Sequence, residues 1–261
     1  MKYLNNVSYK DCVGKVYKSK SSGDFKILKY NDTANVEIQF VTTGYEMFAR
    51  LGDIRKGEVR DPHSPSVCGV GVVGAKYSIS EVDVHTREYE LWKNMLRRCY
   101  SDSLKKKRPT YKGCKVSDNF KSYEYFYEWC HKQIGFGNEG WQLDKDLLTK
   151  GNIKGNKVYS ENVCVFLPQE INSLLVKREA SRGKHLIGVY WHKKSKAFVA
   201  RVAKNKGKSE YLGSFKTELE AFNAYKKAKE SFVKEQANKW KSQIDIRAYN
   251  ALMNYTVEIT D

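Results

Sequence analysis

Hydrophobic and polar positions along the chain fall into three regimes. Residues 10–60 alternate with period two, predicting short strands over Val13–Tyr17, Phe25–Tyr30 and Val36–Val41, with turns at Ser-Gly-Asp and Asn-Asp. That spacing predicts a small β-barrel-like module or a curled sheet. Residues 61–83 hold Asp-Pro-His-Ser-Pro followed by Gly69, Gly71 and Gly74, the composition of a linker or extended arm. Helical spacing follows over 84–100 (Tyr89, Trp92, Met95, Leu96) and 119–134 (Phe120, Tyr123, Phe126, Tyr127, Cys130). The basic stretch Lys105–Lys112 lies between them as a loop. Strands return from 186, and helices are expected over Glu218–Lys239 and near Ile244–Tyr255.

These elements predict an α+β, multidomain chain: 1–60 a β-rich accessory domain, 61–83 the arm, 84–180 a central module, 181–241 a three-stranded sheet packed on a helix, and 242–261 a C-terminal helix or tail. In the sheet region Phe198, Ala200 and Val202 alternate with Val199, Arg201 and Ala203, and Val189 and Trp191 alternate with Tyr190 and His192. Ala221, Phe222, Tyr225 and Ala228 form a helical stripe able to cover the apolar side. The opposite side carries Tyr190, His192, Lys194, Lys196, Arg201 and Tyr211, side chains that suit phosphates and guanine edges.

Composition narrows the partner. The 261 residues include 47 Lys and Arg against 30 Asp and Glu, a formal charge of +17. The excess is concentrated: +2 in residues 1–83, +6 in 84–180, +11 in 181–241 and −2 in 242–261. A folded chain of this charge points to a polyanion, most often nucleic acid. The N-terminal module, nearly balanced in charge, is expected either to dock the arm 61–83 or to contact a protein partner. No apolar run approaches a membrane span and no signal-peptide core opens the chain, so no membrane partner is expected. Six scattered cysteines without a CxxC pair indicate reduced thiols of a cytoplasmic protein rather than a disulfide framework. Convergence of Cys99, Cys114 and Cys164 on zinc is the minor alternative to buried thiols.

Two resemblances add specific chemistry. The runs Gly188-Val189-Tyr190-Trp191, Ala197–Val202 and Tyr211-Leu212-Gly213-Ser214-Phe215-Lys216-Thr217, with Glu220-Ala221 and Ala224-Tyr225, resemble the APETALA-two/ethylene-response-factor DNA-binding domain. The resemblance implies a three-stranded sheet reading the major groove; Tyr190 and His192 stand where plant members often carry arginines. The stretch Leu143-Asp144-Lys145-Asp146, then Val158–Phe166 and Glu170-Ile171-Asn172, with Trp92-x-x-Met95-x-x-Arg98-Cys99-Tyr100 upstream, resembles phage HNH homing endonucleases of the ββα-metal type.

That second resemblance implies a phage protein acting in the bacterial cytoplasm, an endonuclease using Mg or Mn. Catalytic candidates are Asp144, Lys145, Asp146 and Asn162; metal-ligand candidates are Asp144, Asp146 and Asn172. Lys145 replaces the family's general-base His, and a lysine protonated at neutral pH suits contact with the scissile phosphate better than proton abstraction. Asp146, two residues from Asp144, is expected on the same side of the strand, and His131 or His85 are substitute bases. The plainer alternative has the aspartates capping the loop or pairing with lysines. The near-duplication Lys150–Lys157 lengthens that loop. The expected function is therefore a site-specific DNA endonuclease, the alternatives being a degenerate DNA-binding regulator or an inhibitor of a host factor.

Overall fold

The computed structural model describes residues 11–149, 157–176, 183–204 and 209–261, so most of the Lys150–Lys157 duplication lies outside the described residues. The chain is mixed α+β, with several small sheets. It divides into two units, residues 1–129 and 130–261, so that the stretch 84–180 is shared between them. Among the described residues no helix is long and apolar enough to cross a membrane.

The first unit opens with an antiparallel meander of β1 (Val16–Lys18), β2 (Asp24–Tyr30), β3 (Val36–Phe40) and β4 (Glu46–Ala49). Period two buries Phe25, Ile27, Val36, Ile38 and Phe40 on one face. Helix α1 (Leu51–Lys56) adds Leu51 and Ile54 to that core. Among the described residues the sheet order is linear, β1-β2-β3-β4, an open sheet as in the second of the two expected forms, with α1 packed on its core.

Residues 61–85 are folded rather than extended. They form two hairpins, β5 (Pro65–Val67) with β6 (Gly71–Val72) and β7 (Ser80–Glu81) with β8 (Val84–His85). Gly71 touches the next helix, α2 (Arg87–Tyr100), so closely that a Cβ would lie 2.4 Å from Leu96 Cδ1. Helix α2 buries Tyr89, Trp92, Met95, Leu96 and Cys99, the expected stripe. The basic stretch 105–112, expected as a loop, is instead largely helical. Helix α3 (Asp102–Lys107) leads to a single 3-10 turn, Pro109–Tyr111, whose first position suits proline's fixed φ. Then come β9 (Lys115–Val116), α4 (Asp118–Lys121) and α5 (Tyr123–His131). Trp92 Nε1 donates to the Phe120 carbonyl at 2.8 Å, and Glu124 accepts from the Ala75 and Lys76 N–H groups, pinning the hairpins.

In the second unit β10 (Trp141–Asp144) runs antiparallel to β12 (Val165–Pro168), with β11 (Val158–Tyr159) between them in sequence. Helix α6 (Gln169–Leu175) packs on this hairpin. A three-stranded antiparallel sheet follows, β13 (Val189–His192), β14 (Ala197–Ala203) and β15 (Ser209–Phe215). Helix α7 (Glu218–Trp240) starts at a capping box, Thr217 and Glu220 exchanging hydrogen bonds, and buries Ala221, Phe222 and Tyr225. It then continues to α6 and to α8 (Ile246–Met253), and Trp240 meets Trp141 edge-on with centroids 5.9 Å apart.

Candidate nucleic-acid interface and the Asp144 corner

The sheet's two faces follow from its register. Phe198, Ala200 and Val202 project to one side of β14, where α7 packs. Arg201 projects to the other, directly opposite Tyr211, while Val199 stands opposite Tyr190 and Ala197 opposite His192. Tyr190, His192, Arg201 and Tyr211 therefore share one face, and no strand residue on it is acidic.

Local contacts hold these side chains in place. Arg201 Nε donates to Ser209 Oγ and Nη2 to the Ser209 carbonyl, each at 3.2 Å. The Tyr211 hydroxyl lies 2.9 Å from Ser214 Oγ while the residue is 55% exposed. His192 Nδ1 accepts the Ser195 N–H at 3.3 Å, bracing the β13–β14 turn. That turn displays Lys193, Lys194 and Lys196, all exposed, with Lys196 in the left-handed region at φ 47°. Among the described residues none of these lysines, nor Arg201, forms an ion pair. Lys194 and Lys196, expected on the sheet face, lie instead on this turn together with Lys193, because β13 ends at His192 and β14 starts at Ala197. Trp191, placed by alternation on the helix side, packs edge-on against Phe198 yet stays 40% exposed.

The nuclease-like candidates arrange differently. Asp144 ends β10 and is buried; its Oδ1 accepts the N–H groups of Asp146 at 3.0 Å and Leu147 at 2.8 Å. It thereby caps a 3-10 turn, Leu147–Thr149. Burial pushes its carboxyl above the usual carboxylate range, against the opposing pull of those two N–H groups. Asp146 lies past the strand end, 73% exposed, so it does not share Asp144's side of β10 as expected. Lys145, expected to face a phosphate, is 8% exposed; its Nζ pairs with Asp146 Oδ1 and lies 5.4 Å from the centre of the Tyr159 ring.

Asn172 sits on α6 with its amide donating to Gln142 Oε1 on β10. Asn162 is exposed, and its carbonyl accepts from Arg247 Nη1 at 3.3 Å. Arg247, absent from the sequence-derived set, also reaches the Glu161 carbonyl at 3.2 Å and pairs with Asp245 at 2.8 Å, so α8 holds the loop before β12. Its only sequence signal is the N-cap pattern Asp245-x-Arg247. His131 is exposed and packs edge-on to Phe136, while His85, in the first unit, packs against Tyr89.

The expected ligand set does not fit a divalent cation. Asp146 is engaged by Lys145 and Asn172 by Gln142, and among the described residues no three His, Cys, Asp or Glu side chains converge. All six cysteines are free thiols, five of them buried. Comparison with models of protein families, with curated proteins and with solved structures gives no match.

Proposed function

We propose that the protein binds double-stranded DNA with the outer face of β13–β15. The observation that supports this reading is the shared exposure of Tyr190, His192, Arg201 and Tyr211 on the face opposite α7, beside three unpaired lysines. A sheet of this width fits the major groove, arginine donates in pairs to guanine, and lysines meet phosphate. Fluorescence anisotropy on labelled duplexes tests it. Binding weakens with rising salt, and Arg201→Ala costs about 1–3 kcal/mol. Affinity indifferent to salt or to Arg201 removes the sheet from the function.

Metal-dependent nicking by the β10–β12–α6 hairpin, using Mg or Mn, is the second reading. One observation favours it: Asp144 ends its strand with Oδ2 outside the hydrogen bonds that occupy Oδ1. The donor set beside it does not close around a cation, so binding stands before cleavage and no chemical step is derived. Supercoiled plasmid incubated with Mg²⁺ or Mn²⁺ decides. Nicking that disappears in Asp144→Ala supports the endonuclease, whereas intact plasmid with retained binding leaves a DNA-binding protein on a nuclease-like scaffold.

A further inference from the structure

A second basic surface lies in the first unit, on residues 93–115. Residues 93–115 contain nine Lys and Arg against a single acid, Asp102, a net +8. That exceeds the +6 of the whole span 84–180, so the remainder of that span is slightly acidic. The segment runs from the last turns of α2 through α3 and the 3-10 turn to β9. Arg97, Lys106, Lys107, Arg108, Lys112 and Lys115 are exposed, and among the described residues none of the six forms an ion pair. Lys93 and Lys105 are the paired exceptions, with Glu90 and Asp102.

Core packing does not account for this arrangement. Helix α3 buries none of its six residues and is far shorter than a helix stable by itself in water. The negative end of its dipole favours the cations of its last turn, but only by about 0.3–1 kcal/mol each at a surface. Arg98, whose guanidinium lies 5.7 Å from the centre of the Tyr111 ring, ties the 3-10 turn back to α2. The result is a held row of cations whose mutual repulsion a polyanion relieves. A membrane surface suits it poorly, because Leu104 is the only apolar side chain α3 could insert.

We propose that this surface of the first unit grips the phosphate backbone of double-stranded DNA. It supplies sequence-independent affinity and register, while the sheet of the second unit reads bases. The choice of duplex DNA rests on the function proposed above; the cationic surface itself does not.

The test uses the full chain and a labelled random-sequence DNA duplex in anisotropy titrations over a series of salt concentrations. Three proteins are compared with wild type: Lys106→Gln/Lys107→Gln/Arg108→Gln/Lys112→Gln, Lys112→Gln/Lys115→Gln, and Arg201→Ala/Tyr211→Ala. Each neutralised phosphate contact flattens the slope of log affinity against log salt by about 0.9. The fourfold variant is therefore expected to lose roughly 3–4 units of slope, and the double variant, which leaves α3 intact, roughly 2. Unchanged slopes in both, with binding weakened by Arg201→Ala/Tyr211→Ala, overturn the proposal and spare the sheet. Flattened slopes with no effect of Arg201→Ala/Tyr211→Ala do the reverse. Wild type that prefers duplex RNA, or binds neither duplex, overturns the assignment to DNA.

Discussion

Arg201 and Tyr211 stand opposite each other on β14 and β15 because β15 carries one residue more than its partner. Ala200 pairs with Gly213 and Arg201 with Tyr211, leaving Leu212 unmatched. Strict alternation counted back from Phe215 would turn Tyr211 toward α7; the bulge turns it outward beside Arg201. Gly213 supplies the backbone for this at φ 135°, and a Cβ there would lie 3.1 Å from the Phe215 ring. Gly213→Ala is expected to lower stability by about 1–3 kcal/mol and to weaken DNA binding along with it. Thermal melts and anisotropy check both, and an unchanged melting temperature would show that the bulge does not depend on glycine.

A contrast between two glycines isolates packing from backbone strain. Gly188 and Gly140 both have positive φ, 76° and 73°. A Cβ on Gly188 would lie 2.1 Å from the Tyr225 ring, while one on Gly140 meets nothing within 4 Å. Gly140→Ala should cost about 1–2 kcal/mol from backbone conformation alone. Gly188→Ala should exceed it by a further 1–3 kcal/mol or so, the overpacking of α7 against the sheet. Equal losses in denaturant titrations would mean that Tyr225 moves aside freely.

The buried carboxyl of Asp144 carries a pH signature. Its folded-state pKa is raised, so its contribution to stability is complete below the ordinary carboxylate range and fades as pH rises through the folded value. Asp144→Asn keeps an oxygen for the Asp146 and Leu147 N–H groups without the charge. The variant should gain on wild type as pH climbs from about 4 toward neutrality. Asp144→Ala, which leaves both donors unmet, should lose about 1–3 kcal/mol at all pH values. Melting temperatures across pH distinguish the two, and a pH-independent gap between Asn and Asp would show that burial does not shift the group.

Thiol chemistry reports on both units at once. Five cysteines are buried, and burial pushes the Cys164 thiol up to about 12. Cys68 is the exposed one, its pKa also raised by desolvation. A disulfide reagent at mildly alkaline pH should therefore label Cys68 alone, and slowly, in the native protein. Cys68→Ser should abolish that labelling, and full denaturation should expose all six thiols. Rapid native labelling of several cysteines would contradict the packing around Cys99, Cys114 and Cys164.

The legible parts of the fold are those set by local pattern. Period two on Phe25–Tyr30 and Val36–Val41 locates β2 and β3 within a residue or so, and the stripe Ala221-Phe222-Tyr225 locates α7. The hairpins of residues 65–85 escape such reading because their strands are two or three residues long and are held by Gly71 against Leu96 and by Glu124. Charge and Pro109 disguise α3 and its 3-10 turn as a loop. At the site, alternation places Arg201 and Tyr190 correctly. It misplaces Asp146, expected on the same side of the strand as Asp144, because β10 stops at Asp144 and the chain turns there. Arg247 is beyond local pattern altogether, reaching a carbonyl 86 positions away.

Helix α7 has a consequence for how such a protein changes over generations. Its first half roofs the three-stranded sheet, and its second half, with Val233 and Ala237 fully buried, packs with α6 and α8 and brings Trp240 to Trp141. A gene fragment cut at residues 181 and 241 would strip that second half of its cover. The three-stranded sheet is thus no self-contained cassette: a fragment that keeps α7 covered along its whole length must carry the β10–β12 pair, α6 and α8 with it.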